Sequence, residues 1–113
     1  GTHEFEQGNT ANVRFKLFDE AGQEIKDASV ILMIQQVDSS NNPIGAVMEA
    51  TSAGGSNDGN LFRYSNSFYQ YNLKTDTMEI GKWALYVYLL DGDEQILMED
   101  APIDGISATI LIK

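Results

Sequence analysis

The chain has 113 residues, 42% of them apolar, with 17 acidic side chains against 7 basic ones and a formal charge of −10. That length fits one domain able to bury a core without disulfides or metals, and no apolar run nears the roughly 18 to 20 residues of a membrane-spanning helix. The acidic balance repels phosphate backbones and anionic headgroups, so neither nucleic acid nor membrane insertion is expected, and the lack of cysteine removes thiol catalysis, zinc–thiolate sites and disulfides.

The opening GTHEF is short, polar and outside the pattern that follows. Residues 1–7 therefore read as a cloning remnant and lead-in, and 8–113 as a single domain cut from a longer protein. In ANVRFKLF, Val13, Phe15 and Leu17 alternate with Arg14 and Lys16, the period-two pattern of a half-buried strand. DEAGQ follows as a turn. ASVILMIQQV places Val30, Leu32 and Ile34 in one register and Ile31 and Met33 in the other, as expected of a strand covered on both faces. DSSNNPIG ends that strand, a short segment near AVMEA follows, and TSAGGSNDGN is a surface loop by composition.

In KWALYVYLL, Trp83, Leu85, Val87 and Leu89 share one face and Tyr86 and Tyr88 the other. DGDE then turns the chain into QILME, since Asp-Gly between alternating apolar runs is a strong hairpin signal. ISATILIK closes with Ile106, Ala108, Ile110 and Ile112 on one face. No segment carries an apolar stripe of period 3.6. The pattern predicts an all-β, antiparallel β-sandwich of about seven to eight strands, immunoglobulin- or fibronectin-like.

The stretch LFRYSNSFYQYNLKT concentrates Phe62, Tyr64, Phe68, Tyr69 and Tyr71. If LFRY and YQYNL pair across a four-residue loop, Ser65 to Phe68, Tyr64 faces Tyr69 and Phe62 faces Tyr71, which puts these four and Leu73 on one side and Arg63, Gln70 and Asn72 on the other. That division predicts core. The competing reading is an aromatic platform that stacks on sugar rings, for which Tyr86, Tyr88, Tyr64 and Tyr69 are the candidate ligand-binding residues; Trp83 shares its face with aliphatics and reads as core.

Catalysis finds little support, because the single histidine is His3 and no Ser-His-Asp or Cys-His arrangement can be assembled. A pair of carboxylates remains a formal option for glycoside hydrolysis. No cofactor is required, and calcium is the one metal the composition allows, through oxygen ligands. Asp91, Asp93 and Asp104 are the candidate ligands, with Glu99 and Asp100 beside them and Asn57, Asp58 and Asn60 in a second loop; Asp-Gly also serves turn geometry alone. The basic residues look scattered and predict no patch.

The order NVRFKLFDEAGQEI, LFRYSNSFYQYNLKT, IGKWALYVYLLDGDE resembles the PxKF-type module of bacterial and archaeal secreted and cell-surface proteins. Asn12-Val13-Arg14-Phe15 stands at the eponymous motif, without its proline and with arginine for lysine. Gln70, Tyr71, Asn72, Leu73 and Thr75 match the second segment, with leucine where tryptophan is usual. The resemblance covers roughly residues 10 to 93 and implies an accessory, non-catalytic module, extracellular or at the cell surface. It carries no catalytic residue. Its partners would be neighbouring domains of the parent chain or other surface proteins. A carbohydrate-binding module holding an enzyme near polysaccharide is the alternative, and an intracellular subunit of a β-rich assembly a weaker one.

Overall fold

A computed structural model describes residues 3–55, 57–98, 103–104 and 109–113. Ten strands run in chain order: β1 (His3–Phe5), β2 (Thr10–Phe15), β3 (Val30–Val37), β4 (Met48–Glu49), β5 (Arg63–Ser65), β6 (Phe68–Lys74), β7 (Gly81–Asp91), β8 (Glu94–Leu97), β9 (Ile103–Asp104) and β10 (Thr109–Ile112). They form two packed sheets, β1-β10-β7-β3-β4 with β8 also on β7, and β5-β6-β2-β9. The chain crosses between the sheets after β1, β2, β4, β6, β8 and β9, so each sheet of the β-sandwich is assembled from strands distant in sequence.

Alternation explains each long strand. Ala11, Val13 and Phe15 of β2 and Tyr69, Tyr71 and Leu73 of β6 are buried, while the residues between them point outward. On the facing sheet, Val30, Leu32 and Ile34 of β3, Trp83, Leu85 and Val87 of β7, and Ile110 and Ile112 of β10 complete the core. As expected, β3 is covered on both sides, since Ile31 on its outer side is only 7% exposed. Ile106 and Ala108, predicted to extend the β10 face, lie outside the described residues.

The strand count exceeds the expected seven to eight because β1, β4 and β9 are too short for alternation to show. One pair departs from the antiparallel rule: β1 runs parallel to β10, with His3 opposite Ile110 and Phe5 opposite Ile112. A parallel neighbour needs a long crossover, which the rest of the domain supplies. The lead-in expected over residues 1–7 thus contributes a strand. Phe5 packs against the core, its carbonyl accepts from the N–H of Lys113 at 2.9 Å, and Glu4 meets the Lys113 ammonium at 2.8 Å. Behind them the buried Thr75 hydroxyl accepts from the N–H of Gly8 and donates to the carbonyl of Asn9.

Candidate functional site

The aromatic stretch folds as its parity predicts. Tyr64 lies opposite Tyr69 and Arg63 opposite Gln70, and Ser65 pairs with Phe68 across the two-residue turn Asn66-Ser67. Both turn residues have positive φ, 54° and 69°, as a type I′ hairpin requires. The rings pack on one another: Phe15 stacks on Tyr69 at 5.2 Å between centroids and meets Phe62 edge-on at 5.1 Å, and Tyr64 meets Tyr69 edge-on at 5.1 Å.

Burial of those rings requires partners for their hydroxyls. Tyr69 donates to the carbonyl of Ile25 at 2.7 Å, Tyr71 to that of Gly59 at 2.6 Å, and Tyr64 to the Glu24 carboxylate at 2.8 Å. Loss of hydration pushes the Tyr71 phenol up to about 12, with the charge of Glu49 adding to it. Desolvation likewise raises Tyr69 and Tyr64, the latter further through its hydrogen bond to Glu24. Tyr69, named from sequence as a ligand candidate, is 1% exposed and belongs to the core, and Tyr64 is half-buried against it. Tyr69 offers no free ring face, because the parity that gathers these rings turns it inward.

Tyr86 and Tyr88 lie on the outer side of β7, opposite Met33 and Ile31 of β3. Both are half-buried, and the Tyr86 hydroxyl donates to Gln35 Oε1 at 2.8 Å. Trp83 faces inward as expected, its indole N–H bonded to the carbonyl of Glu79 at 2.9 Å. Beside the end of β3 and the start of β7 a groove of about 540 Å³ runs between Ile44, Val37 and Ile80, and Ile44 and Ile80 are 59% and 65% exposed.

The strands carrying the candidate metal ligands belong to both sheets. Asp91 ends β7 and Asp93 sits in the turn to β8, where Gly92 takes the positive φ of 61°. Asp104 belongs to β9 on the other sheet, opposite Arg14. Among the described residues no three acidic or histidine side chains come together; Glu99 and Asp100 lie outside them. In the second loop, the Asn57 carboxamide bonds the backbone of Leu61, Gln70 and Asn72, and Asn60 bonds the carbonyl of Leu32. These amides hold the loop to the sandwich.

The basic residues are gathered, contrary to expectation. Arg14, Lys16, Arg63 and Lys74, four of the seven, stand on the outer face of the β5-β6-β2-β9 sheet. The Arg14 guanidinium lies 4.6 Å and the Lys16 ammonium 4.9 Å from the centre of the Phe68 ring. Alternation assigns Arg14, Lys16 and Arg63 outward positions. Their convergence depends on the pairing of β2 with β6, some fifty residues apart, and no local pattern encodes that pairing. No protein-family model, curated protein or solved structure matches the chain.

Proposed function

We propose that this domain is a non-catalytic, immunoglobulin-like accessory module of a larger extracellular or cell-surface protein, acting as a structural spacer or interaction domain. The observation that carries the reading is the parallel pairing of β1 with β10. The chain enters the strand pair at one end and leaves at the other, which suits a module strung in series with neighbours. The use of the aromatic stretch as core, and the resemblance to PxKF-type modules, support the same reading. A head-to-tail fusion of two copies through a short linker, measured by small-angle X-ray scattering, is expected to give an extended two-lobed particle. A compact particle with the copies folded back on each other would count against it.

A carbohydrate-binding role is the second reading, favoured by one observation: Tyr86 and Tyr88 are neighbours on the outer sheet face, partly open to solvent. Affinity electrophoresis through gels of neutral polysaccharides separates the two. Retardation that disappears on Tyr86→Ala or Tyr88→Ala replaces the spacer reading, and unchanged mobility across the panel leaves it in place.

A further inference from the structure

We propose that the outer face of the β5-β6-β2-β9 sheet binds an acidic polysaccharide, one carrying carboxylate or sulfate groups on its sugars. The inference goes beyond the spacer role and uses a face opposite to that of Tyr86 and Tyr88. It starts from the distribution of charge. In a chain with 17 acidic residues and 7 basic ones, chance would leave each sheet face acidic, yet this one carries Arg14, Lys16, Arg63 and Lys74.

Strand register sets their arrangement. Arg63, Gln70 and Arg14 form one row across β5, β6 and β2, so the two guanidinium-bearing residues stand two strands apart, about 10 Å. Lys16 follows Arg14 by two residues, about 7 Å along the strand, and its ammonium lies over Phe68. Among the described residues, acidic positions border the face as well. Asp104 occupies the register position opposite Arg14, and Asp76 lies 3.7 Å from Lys74. Lys16 and the exposed Arg63 are therefore the principal anchors.

The neutral residues between the cations favour a sugar chain over other polyanions. Asn12, Gln70 and Asn72 share the face, with Asn12 Nδ2 donating to Asn72 Oδ1 at 2.8 Å and Gln70 Nε2 to the carbonyl of Ser65 at 2.7 Å. Each keeps carboxamide groups beyond those bonds with which to meet sugar hydroxyls. An extended acidic peptide would instead add to a sheet edge through its main chain. Nucleic acid would seek a bare aromatic face for its bases, whereas the Phe68 ring is occupied by cations. At physiological salt, charges are screened beyond about 8 Å, so a local basic face acts despite the acidic whole.

The test is affinity electrophoresis of the intact chain through gels holding polygalacturonate, dextran sulfate or neutral dextran, each mobility taken relative to a gel without polymer. Retardation is expected with at least one acidic polymer and not with dextran, and it should vanish near 1 M salt, where screening falls to about 3 Å. Lys16→Gln with Arg63→Gln, both outward-facing, should weaken binding roughly ten-fold with an unchanged unfolding midpoint. Lys26→Gln with Lys82→Gln, which removes two cations elsewhere, should bind as the parent does. Equal mobility in acidic polymers and dextran overturns the proposal, as does equal weakening by both double variants. Tighter binding to polyglutamate or single-stranded DNA assigns the face to another class of partner and overturns it too. Retardation in dextran that depends on Tyr86 would instead bear on the spacer reading.

Discussion

The side chain of Asn57 stands in for a peptide group on the edge of β6: its Oδ1 accepts the N–H of Asn72 at 3.0 Å and its Nδ2 donates to the carbonyl of Gln70 at 3.0 Å. On one side of this point β5 covers the edge at residues 68–70. On the other, Ser52 bridges Leu73 and the N–H of Lys74 donates to the carbonyl of Thr51. Asn57 fills the gap between the two segments and also bonds the carbonyl of Leu61 at 3.1 Å. One carboxamide thus completes an edge that two separate pieces of chain leave open.

Asn57→Ala removes a partner from three backbone groups at once. Each group left unpaired away from water costs of the order of 1–3 kcal/mol, and water recovers part of it at an edge. A net loss of about 2 kcal/mol is expected in urea unfolding, read as a lower midpoint with unchanged slope. A loss below about 0.5 kcal/mol would mean that solvent replaces the amide without penalty.

Two turns share one design and test each other. Asp19 Oδ1 accepts the N–H groups of Ala21 and Gln23, and Asp38 Oδ1 those of Ser40 and Asn42. The fourth position of each has positive φ, Gly22 at 82° and Asn41 at 67°. Only glycine takes that conformation without steric cost. Asn41→Gly is expected to stabilise by roughly 0.5 kcal/mol and Gly22→Ala to destabilise by about 1 kcal/mol, both by chemical denaturation. A β-carbon on Gly22 would meet no atom within 4 Å, so the penalty is conformational.

The same turn sets a pH dependence on the acid side. The Asn42 N–H, chiefly, holds the Asp38 carboxyl below its ordinary value of 3.8. A depressed folded-state value means the carboxylate stabilises the fold above about pH 4 and loses that contribution as pH falls through the lower folded value. Asp38→Asn should flatten this part of the stability curve, measured as unfolding midpoints between pH 2 and 5. An unaltered curve would place the acid sensitivity elsewhere.

The limits of sequence reading follow from distance along the chain. The alternation in β2, β3 and β7 and the Tyr64–Tyr69 pairing are local, involving residues two to five apart, and all stand as expected. The basic face and the Asn57 edge require knowledge of which strands pair, and that is decided by core packing. The placement of the candidate calcium ligands was illegible for the same reason: Asp104 stands near Asp91 in sequence, but its strand pairs with β2 on the other sheet. Trp83 and Tyr69 could be placed inside by parity, whereas nothing in three residues of β1 announces a parallel strand.

Tyr71 sets the alkaline limit. Its phenol is pushed up to about 12 from an ordinary value of 10, so the folded state favours the neutral form. The stability this contributes is complete below about pH 10 and lost as pH rises towards 12. Tyr71→Phe sacrifices the hydrogen bond to Gly59, about 1 kcal/mol near neutrality, but its stability should fall less steeply between pH 10 and 12. Tyr64 and Tyr69, also raised, leave a residual slope. Parallel curves for the variant and the parent would assign the alkaline loss to those two.

Core and surface aromatics differ in how much of the fold they hold together. Phe15 is fully buried and contacts both Phe62 and Tyr69, so Phe15→Ala removes a ring from the centre of the sandwich and should cost about 3–5 kcal/mol. Tyr86 and Tyr88 stand on the outer face, where truncation removes half-buried rings and, at Tyr86, one hydrogen bond to Gln35. Each is expected to cost about 1 kcal/mol. If Tyr86→Ala combined with Tyr88→Ala destabilised the domain as much as Phe15→Ala, the outer face would be part of what holds the sheet together. Its rings would then be explained by stability, and the case for them as a sugar platform would lapse.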